Sequence, residues 1–144
     1  MAPQRRGFAY DTSVPVDRSK GHIEALLLKA GAEGYHTGWQ SAQGDDPGWD
    51  AIEFLWKGKQ IRFRLPRTKV ARGSRNDEQR NRQRWRVLFL VVKAKIEAVE
   101  AGIAVFEEEF LSFIVTASGQ TIGEVLLPRL AATRGPLQLE SGNH

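Results

Sequence analysis

The clearest structural signal in the chain is the run Ile52-Glu-Phe-Leu-Trp-Lys-Gly-Lys-Gln-Ile-Arg-Phe-Arg-Leu-Pro66. Apolar side chains occupy every second position on either side of a short connection, which is the period of a half-buried β-strand. Gly58 lies in that connection, where hairpin turns favour glycine, and the closing proline ends the second strand. The run therefore predicts a β-hairpin with one apolar face and one charged face, which carries Arg62 and Arg64.

A long amphipathic helix is predicted after the hairpin. Asn76 and Asp77 are favourable at a helix start, and Glu78 places an acid in the first turn. From there to about Gly102, apolar residues recur at helical spacing: Trp85, Leu88, Phe89, Val92, Ile96 and Val99. We expect this face to pack on the hairpin residues Ile52, Phe54, Trp56, Ile61, Phe63 and Leu65. The fold class that follows is α+β, a small antiparallel sheet of two or three strands packed on a long amphipathic helix.

An N-terminal helix is expected between Pro15 and Gly31, with Asp17 or Ser19 as its cap. The segment from residue 35 to residue 40 is rich in aromatic and β-branched residues, and its pattern is compatible with a strand.

Two short C-terminal helices complete the prediction. The first is led by Glu107-Glu-Glu109, and the second opens with Thr121-Ile-Gly-Glu124, which has the form of a capping box. The second is expected to run for about ten residues, although Pro128 would lie inside it. We therefore predict a single α+β domain over residues 13–133, with a flexible arm at 1–12 and a flexible tail at 134–144.

Positive charge is concentrated in one part of the chain. Residues 57–86 contain twelve Lys or Arg and only two acids, a net charge of +10, whereas the whole protein carries +4. Nine of the twelve are arginine, whose planar guanidinium forms paired hydrogen bonds with phosphate. A field of this size and sign attracts polyanions, and it predicts nucleic acid, DNA or RNA, as the partner. The alternative is an ordinary solvated surface.

The predicted nucleic-acid contacts are basic residues of the hairpin, the loop after it and the helix start: Arg62, Arg64, Arg67, Lys69, Arg72, Arg75, Arg80 and Arg84. We expect the strand arginines to line up with the helix arginines if the hairpin packs beside the helix. Helical spacing puts Arg80 and Arg84 on one side of the helix and Arg82 and Arg86 on another, so the quartet cannot face a single ligand.

The tryptophans divide into two pairs. Trp56 and Trp85 are in phase with apolar neighbours and are expected in the core. Trp39 and Trp49 lie in or beside a segment rich in Gly and Asp, and base stacking or packing are equally compatible with their positions.

No enzymatic pattern stands out. Asp50, Glu53 and Lys57 resemble the spaced acids and lysine of metal-dependent nucleases, but the usual acid-any-Lys triplet is missing. His22 and His36 have no metal-ligand spacing, and phosphate-binding and nucleophile motifs are absent from the sequence. We therefore expect a non-catalytic protein with no metal and no cofactor.

Composition predicts a soluble protein. The 144 residues are 41% hydrophobic and 26% charged and include no cysteine, which fits a reducing cytoplasm. The longest apolar run, residues 87–92, is far shorter than a membrane span, and no secretory signal follows Met1. The oligomeric state is left open by the sequence.

Two blocks resemble a known group of proteins. They are Ser13-Val-Pro-Val-Asp-Arg-Ser-Lys20 with Ile23-Glu-Ala-Leu-Leu27, and Arg82-Gln-Arg-Trp-Arg86 continuing to Leu111. Together they resemble a family of small proteins encoded by phages and prophages, without established activity. The resemblance implies a phage origin and the cytoplasm of an infected bacterial host, and it carries over no functional residues. With the charge, it suggests an accessory protein that binds nucleic acid in replication, recombination or regulation. The alternative is an anti-defence inhibitor that binds a host protein complex, which would need the acids of residues 45–53 and 107–109 exposed and clustered.

Overall fold

The computed structural model describes residues 12–67 and 75–132. Their elements are helix α1 Val16–Ala30, strands β1 Gly34–Gln40, β2 Trp49–Trp56 and β3 Lys59–Pro66, and helices α2 Arg75–Glu100, α3 Phe106–Glu109 and α4 Ile122–Leu126. Two 3-10 helices cover Leu111–Phe113 and Leu127–Ala132. This architecture confirms the predicted α+β class. The predicted arm (apart from Thr12), the basic loop 68–74 and the predicted tail lie outside the described residues.

The sheet is antiparallel, with the strand order β1-β2-β3. A two-residue turn joins β2 to β3, and both of its residues have positive φ, 53° at Lys57 and 77° at Gly58. Such turns match the twist of the flanking strands, which explains why the glycine is there. The segment from residue 35 to residue 40, whose pattern was compatible with a strand, forms most of β1. This strand pairs with β2 along its whole length, from Gly34 opposite Leu55 to Gln40 opposite Trp49.

The core lies between the sheet and the helices, as the alternating pattern predicted. Its buried apolar residues are Ile23, Leu27, Ile52, Phe54, Trp56, Ile61, Phe63, Trp85, Leu88, Val92, Ile96, Phe106 and Phe110. Aromatic rings from the sheet and from α3 meet edge to face, with the ring centroids of Trp56 and Phe106 5.3 Å apart. The position of α2 against one face of the sheet follows from this cluster.

The start of α1 differs from the prediction. The helix begins directly after Pro15, whose side chain has no cap hydrogen bond, so the assignment of Asp17 or Ser19 as the cap is wrong. Asp17 lies inside the first turn, where its charge faces the helix dipole, and Ser19 is buried within the helix. The C-terminal end is as predicted, because Gly31 takes the left-handed conformation with φ 91°.

The C-terminal segment packs along the outer edge of the sheet. The Val115 backbone N–H donates to the Gln60 carbonyl of β3 at 2.8 Å. The predicted capping box is confirmed, since the Thr121 hydroxyl accepts from the Glu124 N–H and the Glu124 carboxylate accepts from the Thr121 N–H. The predicted ten-residue helix is wrong, because α4 ends at Leu126 and a 3-10 helix containing Pro128 follows.

Candidate nucleic-acid interface

The two faces of the sheet separate the predicted contact residues. Side chains alternate between faces along a strand, and Ile61 and Phe63 of β3 belong to the core that contains α2. Arg62 and Arg64 therefore point to the opposite, outer face. The expectation that the strand arginines line up with the helix arginines is wrong, because α2 covers the apolar face of the hairpin.

On the outer face, Arg62 and Arg64 form ion pairs with two glutamates. The Arg62 Nε donates to Glu53 Oε1 at 2.8 Å, and its Nη1 donates to the Gly119 carbonyl at 2.8 Å. The Arg62 and Arg64 guanidinium groups lie 3.7 and 3.4 Å from the Glu124 carboxylate. We call these four residues, Glu53, Arg62, Arg64 and Glu124, the strand-face cluster. Its two positive and two negative charges cancel.

The acids of the strand-face cluster hold their charge firmly. Partial burial alone would raise the pKa of Glu53, but hydrogen bonds from Arg62 and Gln60 outweigh it, so the pKa lies below the ordinary carboxyl value. The pKa of Glu124 is lowered in the same way, since hydrogen bonds from Thr121 and the nearby arginines outweigh partial burial. Both carboxylates are ionised near neutral pH and remain bound to their arginines.

A second cluster lies at the end of the sheet where β2 begins and β3 ends. Arg67 donates two hydrogen bonds to Asp50, from Nη2 at 3.0 Å and from Nε at 3.2 Å. The Arg84 Nη2 of α2 lies 3.7 Å from the same carboxylate and donates to the Leu65 carbonyl at 3.1 Å. We call Asp50, Arg67 and Arg84 the edge cluster. Two arginines share Asp50, and Asp77 of α2 also acts electrostatically on both, so the charge of +1 that the three residues carry is offset by Asp77.

The backbone around Gly48 places Arg67 in the edge cluster. The Arg67 N–H donates to the Gly48 carbonyl at 3.0 Å, which extends the pairing of β2 and β3 by one step. Gly48 has φ +89°, and a Cβ there would lie 2.4 Å from the Gln40 carbonyl oxygen. Only glycine fits this close approach, so the loop before β2 depends on it.

Arg67 and Arg84 differ in their electrostatic environment. The hydrogen bonds to Asp50 raise the pKa of Arg67 although partial burial opposes them. Burial lowers the pKa of Arg84, and Asp50 and Asp77 compensate only in part. Both guanidinium groups stay charged at any physiological pH. The positive charges of Arg67 and Arg84 are therefore permanent.

Trp39 lies near the edge cluster, and Trp49 lies near the strand-face cluster. Trp39 lies opposite Asp50 in the sheet register, with 67% of its surface exposed and the Arg67 guanidinium 5.7 Å from its ring. Trp49 is half-buried on the outer face, where the Arg64 guanidinium lies 4.3 Å above its ring. Trp56 and Trp85 are buried, as predicted. Of the two tryptophans whose role was open, Trp39 is the exposed one.

The other predicted contacts lie near the edge cluster or outside the described residues. Arg75 and Arg80 are exposed in the first part of α2, and Arg80 lies one turn before Arg84. Lys69 and Arg72 belong to the segment 68–74, outside the described residues. The fold thus brings Arg67 and Arg84 together and keeps Arg62 and Arg64 apart from them.

Sequence reasoning missed two acids that organise these clusters. Asp50 is in phase with Ile52, so the alternation already placed it on the apolar face, where an acid needs a basic partner. Glu124 gave no such signal, because it reaches the strand-face cluster from a distant helix and only its capping role was visible.

The geometry separates the residues of the nuclease-like pattern. Asp50 pairs with Arg67 on the core face of β2, whereas Glu53 pairs with Arg62 on the outer face. The two carboxylates cannot share one metal ion. Among the described residues, no group of three or more His, Asp or Glu side chains is arranged to hold a metal.

Comparison of the chain with protein-family models, curated proteins and solved structures finds no match. Across residues 12–67 and 75–132, no helix combines the length and apolar character needed to cross a membrane.

Proposed function

We propose that this protein binds nucleic acid without catalysing a reaction on it, through a surface at the end of the sheet. We define this edge surface as Trp39, Arg67, Arg75, Arg80 and Arg84. The observation that carries the proposal is a group of four arginines, Arg67 and Arg84 with the exposed Arg75 and Arg80, near an exposed indole. Guanidinium groups bind phosphates, and an exposed indole stacks on an unpaired base, which favours single strands.

Within this proposal, Arg62 and Arg64 have a different task. Their charges are balanced by Glu53 and Glu124, and Arg62 also holds the Gly119 carbonyl. Releasing Arg62 to bind phosphate would take the arginine from Glu53, and releasing Arg64 would weaken the pairing of Glu124, and both changes cost free energy. We assign Arg62 to holding the C-terminal segment against the sheet, and Arg64 to covering Trp49.

The biological setting rests on the resemblance to phage-encoded proteins. We propose that the protein acts in the cytoplasm of an infected bacterium, as an accessory factor in replication, recombination or regulation. The alternative, an inhibitor that binds a host protein complex, requires the acids of residues 45–53 and 107–109 to be exposed and clustered. Asp45, Asp46, Glu107 and Glu108 are exposed. Asp50, Glu53 and Glu109 are engaged with Arg67, Arg62 and Lys95, so each segment presents only part of its acids, which favours the nucleic-acid proposal.

The proposal is tested by measuring affinity for single-stranded DNA, double-stranded DNA and RNA at several salt concentrations. If the four arginines of the edge surface contact phosphates, single-strand affinity falls about fiftyfold between about 50 and about 200 mM salt. Absence of binding at the lower concentration would contradict the proposal and favour the inhibitor.

A pair of charge-matched variants localises the contact. Arg75→Gln with Arg80→Gln removes two positive charges beside the edge cluster. Lys57→Gln with Lys59→Gln removes two at the β2–β3 turn, the other end of the sheet. We expect the first variant to flatten the salt dependence by about 1.4 log units per log unit of salt, and the second to leave it unchanged. Equal effects would mean that total charge, not the edge surface, determines binding.

A further inference from the structure

Helix α2 has a second apolar stripe on the side opposite the core. It consists of Val87, Val91, Ala94 and Ala98, and both valines are 39% exposed. At 100° per residue these four positions fall within an arc of about 60°. The outer side of a helix on a globular domain is normally polar. An exposed apolar stripe on it therefore needs a physical reason.

The spacing of the stripe is that of a helix-pairing seam. Its steps are four, three and four residues, the alternation by which helices pack along a repeat of seven. The residues between them, such as Leu88 and Val92, face the core and are not available to a partner. The stripe is thus separate from the core face, and another helix fits it.

The sizes of the four side chains fit an antiparallel copy of the same helix. If a two-fold axis passes between Val92 and Lys93, Val87 lies opposite Ala98 of the second copy. Val91 then lies opposite Ala94 of that copy. Every layer pairs one valine with one alanine, so the helices approach evenly. A parallel pair would place valine on valine and alanine on alanine, which leaves the alanine layers underpacked.

Charge favours the same arrangement. Residues 75–86 carry five arginines and two acids, a net charge of +3, whereas residues 97–109 carry five glutamates and no base. Glu97 and Glu109 pair with Lys93 and Lys95 of the same chain, and Glu100, Glu107 and Glu108 are exposed. This order opposes the dipole of α2, and no basic residue occupies its last turn. An antiparallel copy brings the basic part of each chain beside the acidic part of the other. A parallel copy would bring two basic ends together.

We propose that α2 of one chain pairs antiparallel with α2 of a second copy through Val87, Val91, Ala94 and Ala98. The seam begins at Val87, two helical turns after Arg80. Trp39 and Arg67 therefore stay accessible to solvent in the dimer. The two edge surfaces lie at opposite ends of the paired helices, and with the two-fold axis between Val92 and Lys93 the two Arg80 positions are about 38 Å apart along the pair. The dimer does not depend on the proposed nucleic-acid binding, and its test uses none.

The association state is measured by sedimentation velocity over a wide range of protein concentration. The wild-type mass is expected to rise from 16.1 kDa towards twice that value. Val91→Glu buries a charge in the seam and should stay monomeric, while Leu28→Glu changes an exposed apolar residue of α1 outside the seam and should dimerise like wild type. A wild-type monomer at every concentration, or dimerisation of Val91→Glu, would overturn the proposal. Far-UV circular dichroism checks that both variants are folded.

Disulfide trapping tests the direction of pairing. Because the chain contains no native cysteine, only the introduced cysteines can form the disulfide. An oxidised mixture of Val87→Cys and Ala98→Cys chains should form the mixed disulfide in preference to either homodimer. A parallel seam would give the Val87→Cys homodimer instead, because the two positions would then lie side by side. That product would overturn the antiparallel arrangement.

Discussion

The strand-face cluster and the edge cluster are built from the same run of basic residues, yet they differ in what the fold supplies to them. Arg62 and Arg64 receive one glutamate each, from β2 and from α4. Arg67 and Arg84 share Asp50, with Asp77 acting electrostatically on both, and Arg67 lies beside the exposed Trp39. Basic residues that are adjacent in sequence can therefore have different roles. The acids brought by tertiary structure decide which of the arginines form balanced ion pairs.

Removing the shared acid should have the largest effect. In Asp50→Asn both Arg67 and the partly buried Arg84 lose their charged partner, so we expect a loss of about 2 kcal/mol in the free energy of unfolding. The net charge at the edge rises at the same time, so single-strand affinity should increase. Urea unfolding and binding titrations measure the two quantities.

Glu53→Gln is the matched change in the strand-face cluster. Arg62 keeps Glu124 and the Gly119 carbonyl, so the expected stability loss is smaller, about 1 kcal/mol, with affinity unchanged. A gain in affinity from Glu53→Gln equal to that from Asp50→Asn would remove the distinction between the clusters.

Truncating the exposed indole should act on binding alone. Trp39→Ala removes a stacking surface worth about 1–3 kcal/mol per base, so we expect about a tenfold loss of single-strand affinity. Its stability should change little, because two thirds of the side chain is already exposed. Trp49→Ala is the control, and its affinity should stay within about twofold of wild type. Fluorescence anisotropy with a labelled oligonucleotide distinguishes the two outcomes.

Acid should weaken the strand-face cluster. The pKa values of Glu53 and Glu124 are lowered in the folded protein, so these groups contribute stability above the ordinary carboxyl pKa of about 4.3. That contribution disappears as pH falls below this value and through the folded pKa values. We expect thermal unfolding of Glu53→Gln to depend less on pH in this window than that of wild type. Identical pH profiles would show that the ion pairs contribute nothing to stability.

Single-charge variants should give the smallest effect. Arg80→Gln is expected to reduce the salt slope of single-strand binding by about 0.7, the share of one phosphate contact. Arg64→Gln removes the same charge from the strand-face cluster and should leave the slope unchanged. A reduced slope in Arg64→Gln would place phosphate on the outer face.

Local patterns predicted most of the fold. The hairpin and the α2 stripe were readable because each buries one face at the period of its secondary structure. The cap of α1 was mispredicted because Pro15 itself starts the helix, and the last helix was mispredicted because its change to a 3-10 helix at Leu127 depends on Pro128.

The candidate site was less predictable. Charge density identified the basic run, but the partners of its arginines come from other elements. Asp50 reaches Arg84 across the interface between sheet and helix, and Glu124 reaches Arg64 from α4. Neither contact leaves a local pattern. Predicting which arginines are neutralised therefore required the tertiary structure.

The four tryptophans allow the most direct test of the central claim that the edge, and not the strand face, contacts nucleic acid. Each indole N–H gives one resonance in a ¹H–¹⁵N spectrum, and a single-stranded oligonucleotide can be titrated against all of them at once. The account predicts that the Trp39 resonance shifts most, while Trp49 and the buried Trp56 and Trp85 remain nearly unchanged. A shift of Trp49 without a shift of Trp39 would contradict it.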